Sequence, residues 1–112
     1  MSRGPLGPLE ASELLSAGQA VLVDVREDGE WAAGHAPGAV HVPLGQLAER
    51  VGELPTGRPL VMVCRLGGRS ARATAFLVGE GHDAVNLEGG MQAWAAAGLP
   101  VEAPSGGPGV VA

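Results

Sequence analysis

Two short apolar runs constrain the fold of this 112-residue chain more than any other feature. Residues 21–25 read Val-Leu-Val-Asp-Val and residues 61–63 read Val-Met-Val, without the polar alternation of a half-exposed strand. Strands that are apolar on both faces are typical of parallel sheets covered by helices on either side. Helical patterns lie between such runs along the chain, which is the order of β-α-β units. The sequence therefore predicts an α/β domain with a largely parallel sheet.

Apolar spacing and turn residues place the other elements. Further strands are expected at residues 40–42 and 83–87, with a short edge strand near Leu6, and helices lie between the strands. Asp28 is expected to cap the second helix, and the two tryptophans, Trp31 and Trp94, are expected in the core. The predicted domain covers residues 1–102, with its core at about 9–101, and residues 103–112 form a flexible tail rich in Gly and Pro.

Composition narrows the classes of function that the chain can have. The net charge is −5 and every basic residue is arginine, which argues against nucleic acid as a partner because that would need a basic face. A single cysteine excludes an internal disulfide and a cysteine-based zinc site. No apolar run approaches the ~20 residues of a membrane span, and the first eight residues lack the apolar core of a secretory signal. We therefore expect a soluble cytoplasmic protein with no membrane partner, in which a thiol stays reduced.

Cys64 directly follows the second apolar run, at the predicted carboxyl end of a strand. Gly67-Gly68 supply the backbone freedom for a tight loop, and Ser70 is a good N-cap for the helix that follows. Such a loop points successive N–H groups inward, and the start of the helix adds partial positive charge. Guanidinium groups of Arg65 and Arg69 flank the loop. We expect an exposed thiol at the bottom of an anion-binding loop, with a pKa below its ordinary value of about 8.5.

Simpler interpretations exist for each of these residues. A cysteine at the end of an apolar strand can be a buried structural residue, although the glycine pair and the arginines favour a functional one. Arg65 either selects an anionic donor or is a solvated charge, and Arg69 either binds the donor or pairs with an acid that shapes the loop. Asp24 is expected to accept hydrogen bonds that fix neighbouring loops, with Arg26 as its companion or as a rim residue. His35 is expected to be a structural hydrogen-bonding group, and the histidines lack the spacing of metal ligands.

Four blocks of sequence, in order over roughly residues 20–101, resemble the rhodanese (sulfurtransferase) family in its single-domain form. They are Val-Asp-Val-Arg-Glu at 23–27, Glu-Trp with Gly-His-Ala-Pro-Gly-Ala and Pro43 at 30–43, Cys-Arg-Leu-Gly-Gly-Arg-Ser at 64–70, and Leu-Glu-Gly-Gly with Trp94 and Gly-Leu-Pro-Val at 87–101. The resemblance implies a rhodanese-like three-layer domain, in which helices flank a central, mostly parallel five-stranded sheet.

The resemblance also implies an enzyme that moves a sulfane sulfur through a cysteine persulfide, without a metal or an organic cofactor. Cys64 is the implied catalytic nucleophile, and Asp24, Arg26 and Ser70 are supporting residues. The loop that cradles the sulfur and binds the donor is then Arg65, Leu66, Gly67, Gly68 and Arg69. The donor would be a small anion such as thiosulfate or a persulfide, and the acceptor a thiol, cyanide or a sulfur-relay protein.

Two competing functions remain beside the sulfurtransferase. A non-enzymatic sulfur carrier or protein-interaction module would keep the fold, but the intact cysteine loop argues against a module that only binds. Related dual-specificity phosphatases and arsenate reductases are the other alternative. The phosphatases have a loop one residue longer than the stretch from Cys64 to Arg69, so the shorter sulfurtransferase loop is indicated here.

Overall fold

A computed structural model describes residues 4–112 as one sheet with helices on both faces. The strands are β1 (Val21–Asp24), β2 (Val40–His41), β3 (Leu60–Val63) and β4 (Ala84–Asn86). The helices are α1 (Pro8–Ser16), α2 (Asp28–Ala33), α3 (Leu47–Arg50), α4 (Gly68–Gly79) and α5 (Gly90–Ala96). Short 3-10 turns at Leu44–Gln46 and Val51–Glu53 flank α3. None of the helices described is long and apolar enough to cross a membrane.

The strands lie in the order β2-β1-β3-β4, and every pair is parallel. The two apolar runs form the central pair, and all of their residues are buried because helices cover both faces. This confirms the α/β fold with a parallel sheet. Because the carboxyl ends of parallel strands meet at one edge, the ends of β1, β3 and β4 come together there.

The described residues form four strands, so the predicted number of five is wrong. Leu6 occupies the fifth position with a single parallel bridge to Leu87, at the edge of the sheet beside β4. Its amide donates to the Asn86 carbonyl at 3.0 Å, and its carbonyl accepts from the Glu88 amide at 2.8 Å. The ladder does not continue beyond Leu6, because Pro8 lacks the N–H group that would donate next to the neighbouring strand and is already the first residue of α1.

The sheet separates two apolar clusters, because successive side chains of a strand point to opposite faces. Met62 and Cys64 face the α3 and α4 side, together with Leu77, whereas Val61 and Val63 face the α1 and α5 side. The domain therefore has the three layers that were predicted.

The two tryptophans lie in different surroundings. Trp94 is buried in the apolar cluster on the α1 and α5 side of the sheet, as predicted, and its indole N–H donates to the Pro100 carbonyl at 2.8 Å. The prediction that Trp31 lies in the core is wrong, because α2 buries none of its residues. Trp31 instead stacks against two imidazole rings, and its ring centre lies 3.7 Å from that of His35 and 4.6 Å from that of His41.

Residues 103–112, which were expected to form a flexible tail, fold back onto the domain. The amide of Val110 donates to the Ala33 carbonyl at 3.0 Å, and Val111 packs against the apolar cluster on the α1 and α5 side of the sheet. A Cβ atom at Gly34 would lie 2.5 Å from the Val110 carbonyl oxygen, so the two segments are in close contact. The mobility of this segment and the domain boundary at residue 102 stay predictions.

Candidate active site

The loop after β3 curls around the sulfur of Cys64. Gly67 is the N-cap of α4 and has a φ of 110°, a left-handed conformation that favours glycine. The turn brings the Gly67 amide to 3.0 Å from Sγ, where it donates a hydrogen bond, and the backbone N–H groups of Ser70 and Leu66 also lower the pKa of Cys64. Successive N–H groups aimed at one point form a site that stabilises an anion.

Ser70 lies inside α4, so the prediction that it caps the helix is wrong. The helix begins two residues earlier, at Gly68. The Ser70 hydroxyl lies 3.3 Å from Sγ of Cys64 and 2.6 Å from Oδ1 of Asn86. A hydroxyl has a single proton, so it can donate to only one of these acceptors at a time.

Asn86 belongs to this site, and the sequence analysis missed it. It is the last residue of β4, next to β3, and its Nδ2 group donates to the Gly67 carbonyl at 3.1 Å. Its side chain therefore contacts both the loop and the hydroxyl beside the sulfur. A polar residue at the carboxyl end of a predicted strand was the available signal.

The prediction of an exposed thiol is wrong. Cys64 is 1 % exposed, because its side chain points to the face of the sheet that α4 covers. Burial is the largest single influence on the pKa of Cys64 and raises it, since it disfavours the charged thiolate. The Ser70 hydroxyl and the amides of Ser70, Gly67 and Leu66 outweigh that effect, so the pKa lies below its ordinary value. Unlike an inert buried cysteine, this one is buried among hydrogen-bond donors.

Arg69 pairs with an acid, one of the two roles that the sequence analysis left open. Its guanidinium donates to both oxygens of Glu30 at 2.7 and 2.8 Å, a bidentate ion pair that joins the loop to α2. The Arg69 side chain is 35 % exposed and that of Glu30 is 22 % exposed. Hydrogen bonding from Arg69 lowers the pKa of Glu30 to about 2, and the same contact raises the pKa of Arg69.

Arg65 and Leu66 form the outer rim of the loop. Arg65 is exposed, and its side chain makes no hydrogen bond or ion pair with any residue in the range 4–112. Leu66 is 60 % exposed. The loop thus presents a guanidinium group and an apolar side chain to solvent.

Asp24 and Arg26 form a fully buried ion pair at the end of β1. The Arg26 guanidinium donates to the Asp24 carboxylate at 2.8 Å and to the Gly34 carbonyl at 2.8 Å. These contacts tie the strand end to the segment that follows α2. Arg26 has no solvent exposure, so it is not a rim residue. His35 likewise makes a structural contact, between Nδ1 and the Trp31 carbonyl at 3.0 Å.

Histidine, cysteine, aspartate and glutamate side chains within residues 4–112 form no group of three that could hold a metal ion. Around Sγ of Cys64 lie the Gly67 amide and the Ser70 hydroxyl, with Arg65 at the rim of the loop.

Comparisons with known proteins agree with this geometry. The family model for the rhodanese-like domain matches residues 8–97. A sulfurtransferase of Allochromatium vinosum is 44 % identical over 87 residues, which make up 77 % of this chain and 81 % of that protein. The thiosulfate sulfurtransferase GlpE of Pseudomonas syringae is 38 % identical over 88 residues, 78 % of this chain and 83 % of that protein.

The fold agrees as well. The crystal structure of a rhodanese-related protein from Thermoplasma volcanium superposes with a TM-score of 0.83 at 29 % identity, over 89 % of this chain and 98 % of that one. With the family model spanning most of the chain and sulfurtransferases among its relatives, this protein belongs to the rhodanese-like domain family.

Proposed function

We propose that the protein is a sulfurtransferase that carries a sulfane sulfur on Cys64 as a persulfide. The observation that carries the proposal is the contact of 3.0 Å between the Gly67 amide and Sγ, with the Ser70 hydroxyl at 3.3 Å from the same atom. Donors in this arrangement stabilise a thiolate, and they would equally stabilise the anionic outer sulfur of a persulfide. The relatives named as sulfurtransferases support the same reaction class.

In the first half-reaction, the Cys64 thiolate attacks the outer sulfur of thiosulfate. A bond forms between Sγ and that sulfur, the sulfur–sulfur bond of the donor breaks, and sulfite leaves with the bonding electron pair. In the second half-reaction, cyanide or a thiolate attacks the outer sulfur of the persulfide. Thiocyanate or a new persulfide leaves, and the Cys64 thiolate is regenerated. This is a ping-pong sequence with a covalent intermediate.

Burial of Cys64 adds a condition to this mechanism. Because Cys64 as a residue is 1 % exposed, we propose that neighbouring groups move when a donor reaches its sulfur. Leu66 and Arg65 at the rim are the exposed side chains of the loop and can move at little cost. Arg65 has no acidic partner within residues 4–112, so it is the guanidinium that can contact an anionic donor.

Donor, acceptor and compartment follow from the same chemistry. We propose thiosulfate or a persulfide as the sulfur donor, and cyanide, a thiol or a sulfur-relay protein as the acceptor. We place the reaction in a reducing compartment such as the cytoplasm, because an oxidised Cys64 could not attack a donor.

The test is the intact mass of the protein after incubation with thiosulfate. The wild-type chain should gain one sulfur atom and lose it again on addition of cyanide, with thiocyanate released. Cys64→Ser removes the nucleophile at nearly constant volume and should gain nothing. Absence of the adduct in the folded wild-type protein would contradict the proposal and favour a module that only binds partners.

A further inference from the structure

The loop amides can face the sulfur only if the peptide planes of the loop are held in one orientation. In a trans peptide the C=O and the following N–H point in opposite directions. Fixing the carbonyl of Arg65 therefore fixes the N–H of Leu66, a backbone group that lowers the pKa of Cys64. Fixing the carbonyl of Cys64 does the same for the N–H of Arg65. What holds these two carbonyls decides where the amides point.

Both carbonyls are held from outside the loop, by the first residues of α5. The Met91 amide donates to the Cys64 carbonyl at 2.8 Å, and the Gln92 amide donates to the Arg65 carbonyl at 3.0 Å. Because these bonds draw the two carbonyls toward α5, the N–H groups of Arg65 and Leu66 point away from α5. The Cys64 side chain lies on the face of the sheet opposite to α5, so this direction turns the Leu66 N–H toward the side on which the sulfur lies.

Gly90 makes this close approach possible. It has a φ of 62°, and a Cβ atom there would lie 2.5 Å from the Arg65 carbonyl oxygen and would also clash with that of Cys64. Any other residue would push α5 away from the loop or rotate the two peptide planes. The glycine pair at 89–90 was part of the family resemblance, but no role followed from it.

We infer that Gly90 and the amides of Met91 and Gln92 are positioning groups of the active site, which aim the loop amides at the reacting sulfur. They touch neither substrate nor sulfur and act through the carbonyls of Cys64 and Arg65. The inference rests on the proposed function, because it names what holds the persulfide-binding loop in shape. It requires that a disturbance of α5 raises the pKa of Cys64 and does not only lower the stability of the fold.

The test replaces a single amide N–H by a group that cannot donate a hydrogen bond. Gln92→Pro deletes the N–H that reaches the Arg65 carbonyl and puts the proline Cδ carbon in its place, so this carbonyl must turn away. The substitution lies in the first turn of α5, where this N–H has no partner within the helix. Gln92 is exposed, so Gln92→Ala is a matched control that keeps the N–H and removes only the side chain. Both variants are titrated by the ultraviolet absorbance of the thiolate, with Cys64→Ser as the blank, and their thermal unfolding is recorded.

Relative to Gln92→Ala, the proline variant should raise the pKa of Cys64 by about one unit, because a misaimed Leu66 amide no longer stabilises the thiolate. Sulfur loading at neutral pH should fall by up to about tenfold. A folded proline variant whose titration coincides with that of Gln92→Ala would overturn the inference. Because the titration does not require sulfur transfer, a wild-type protein that takes up no sulfur would refute the proposed function alone.

A wild-type measurement covers the case in which Gln92→Pro does not fold. Amide hydrogen exchange of Met91 and Gln92 should be slow in the reduced protein, and slower still in the protein treated with thiosulfate, because a bound outer sulfur holds the loop in place. An unprotected Gln92 amide, or protection that does not change although sulfur has been loaded, would overturn the inference.

Discussion

Replacing Glu30 by glutamine removes the negative charge that holds Arg69 and keeps the shape of the side chain. Glu30 lies on α2 and Arg69 in the first turn of α4, where the cysteine loop ends, so the substitution weakens the bidentate contact that joins the two segments. The amide oxygen of the new side chain could still accept one hydrogen bond from the guanidinium. The variant should therefore fold, but with lower stability at neutral pH.

The size of the effect follows from the pKa of Glu30. A fall from 4.5 to about 2 on folding corresponds to about 3 kcal/mol of stability at neutral pH. Because the Arg69 side chain is 35 % exposed, solvent screening reduces this figure, and we expect about 1 kcal/mol. The pKa of Glu30 is lower in the folded state, so this stability is complete above pH 4.5 and disappears as the pH falls through about 2.

The assay is denaturant unfolding of the wild type and of Glu30→Gln at pH 7 and near pH 2. The two proteins should differ at pH 7 and converge at low pH, and added salt should reduce the difference at pH 7. Glu49→Gln is the control, because Glu49 is an exposed acid in the first turn of α3. Equal stability of the wild type and the variant at pH 7, or a difference that persists unchanged near pH 2, would refute the reasoning.

Three further substitutions test the site. Ser70→Ala should raise the pKa of Cys64 and move the pH profile of sulfur loading to higher pH by about one unit, because the hydroxyl stabilises the thiolate; an unmoved profile would mean that the hydroxyl donates to Asn86 alone. Arg65→Ala should raise the KM for thiosulfate about tenfold and change the KM for an uncharged persulfide donor little. Arg72→Ala is its control, and equal effects on both donors would mean that Arg65 does not contact the anion. Asp24→Asn should cost about 3 kcal/mol or more in denaturant unfolding, because it leaves the buried guanidinium of its partner without a countercharge; a loss below about 1 kcal/mol would contradict this.

Features that depend on neighbours in the chain were predictable. The buried parallel strands followed from apolar runs, and the curl of the loop followed from a glycine three residues after Cys64. The amide donors are backbone groups, so they come with the loop conformation whatever the side chains are. The alternation of helical patterns and strands likewise indicated an α/β domain, whereas the three-layer arrangement was implied by the resemblance to the rhodanese family.

Features that depend on contacts between distant segments were not predictable. Arg69 and Glu30 are 39 positions apart, and only the packing of α2 beside the loop selects this acid among twelve. Asn86 reaches the loop because β4 lies beside β3, which no local pattern indicates. An edge strand was predicted near Leu6, but the structure has a single bridge there. Its length depends in the same way on how Pro8 is placed relative to β4.

The sequence by itself determined a parallel α/β domain with one cysteine in a glycine loop at the carboxyl end of a strand, because these are matters of periodicity and backbone freedom. The tertiary structure decided that the sulfur is buried, that Ser70 contacts it instead of capping α4, and that Arg69 is held by Glu30. Burial and partner choice depend on which surfaces meet when the layers pack, and that information is spread over the whole chain.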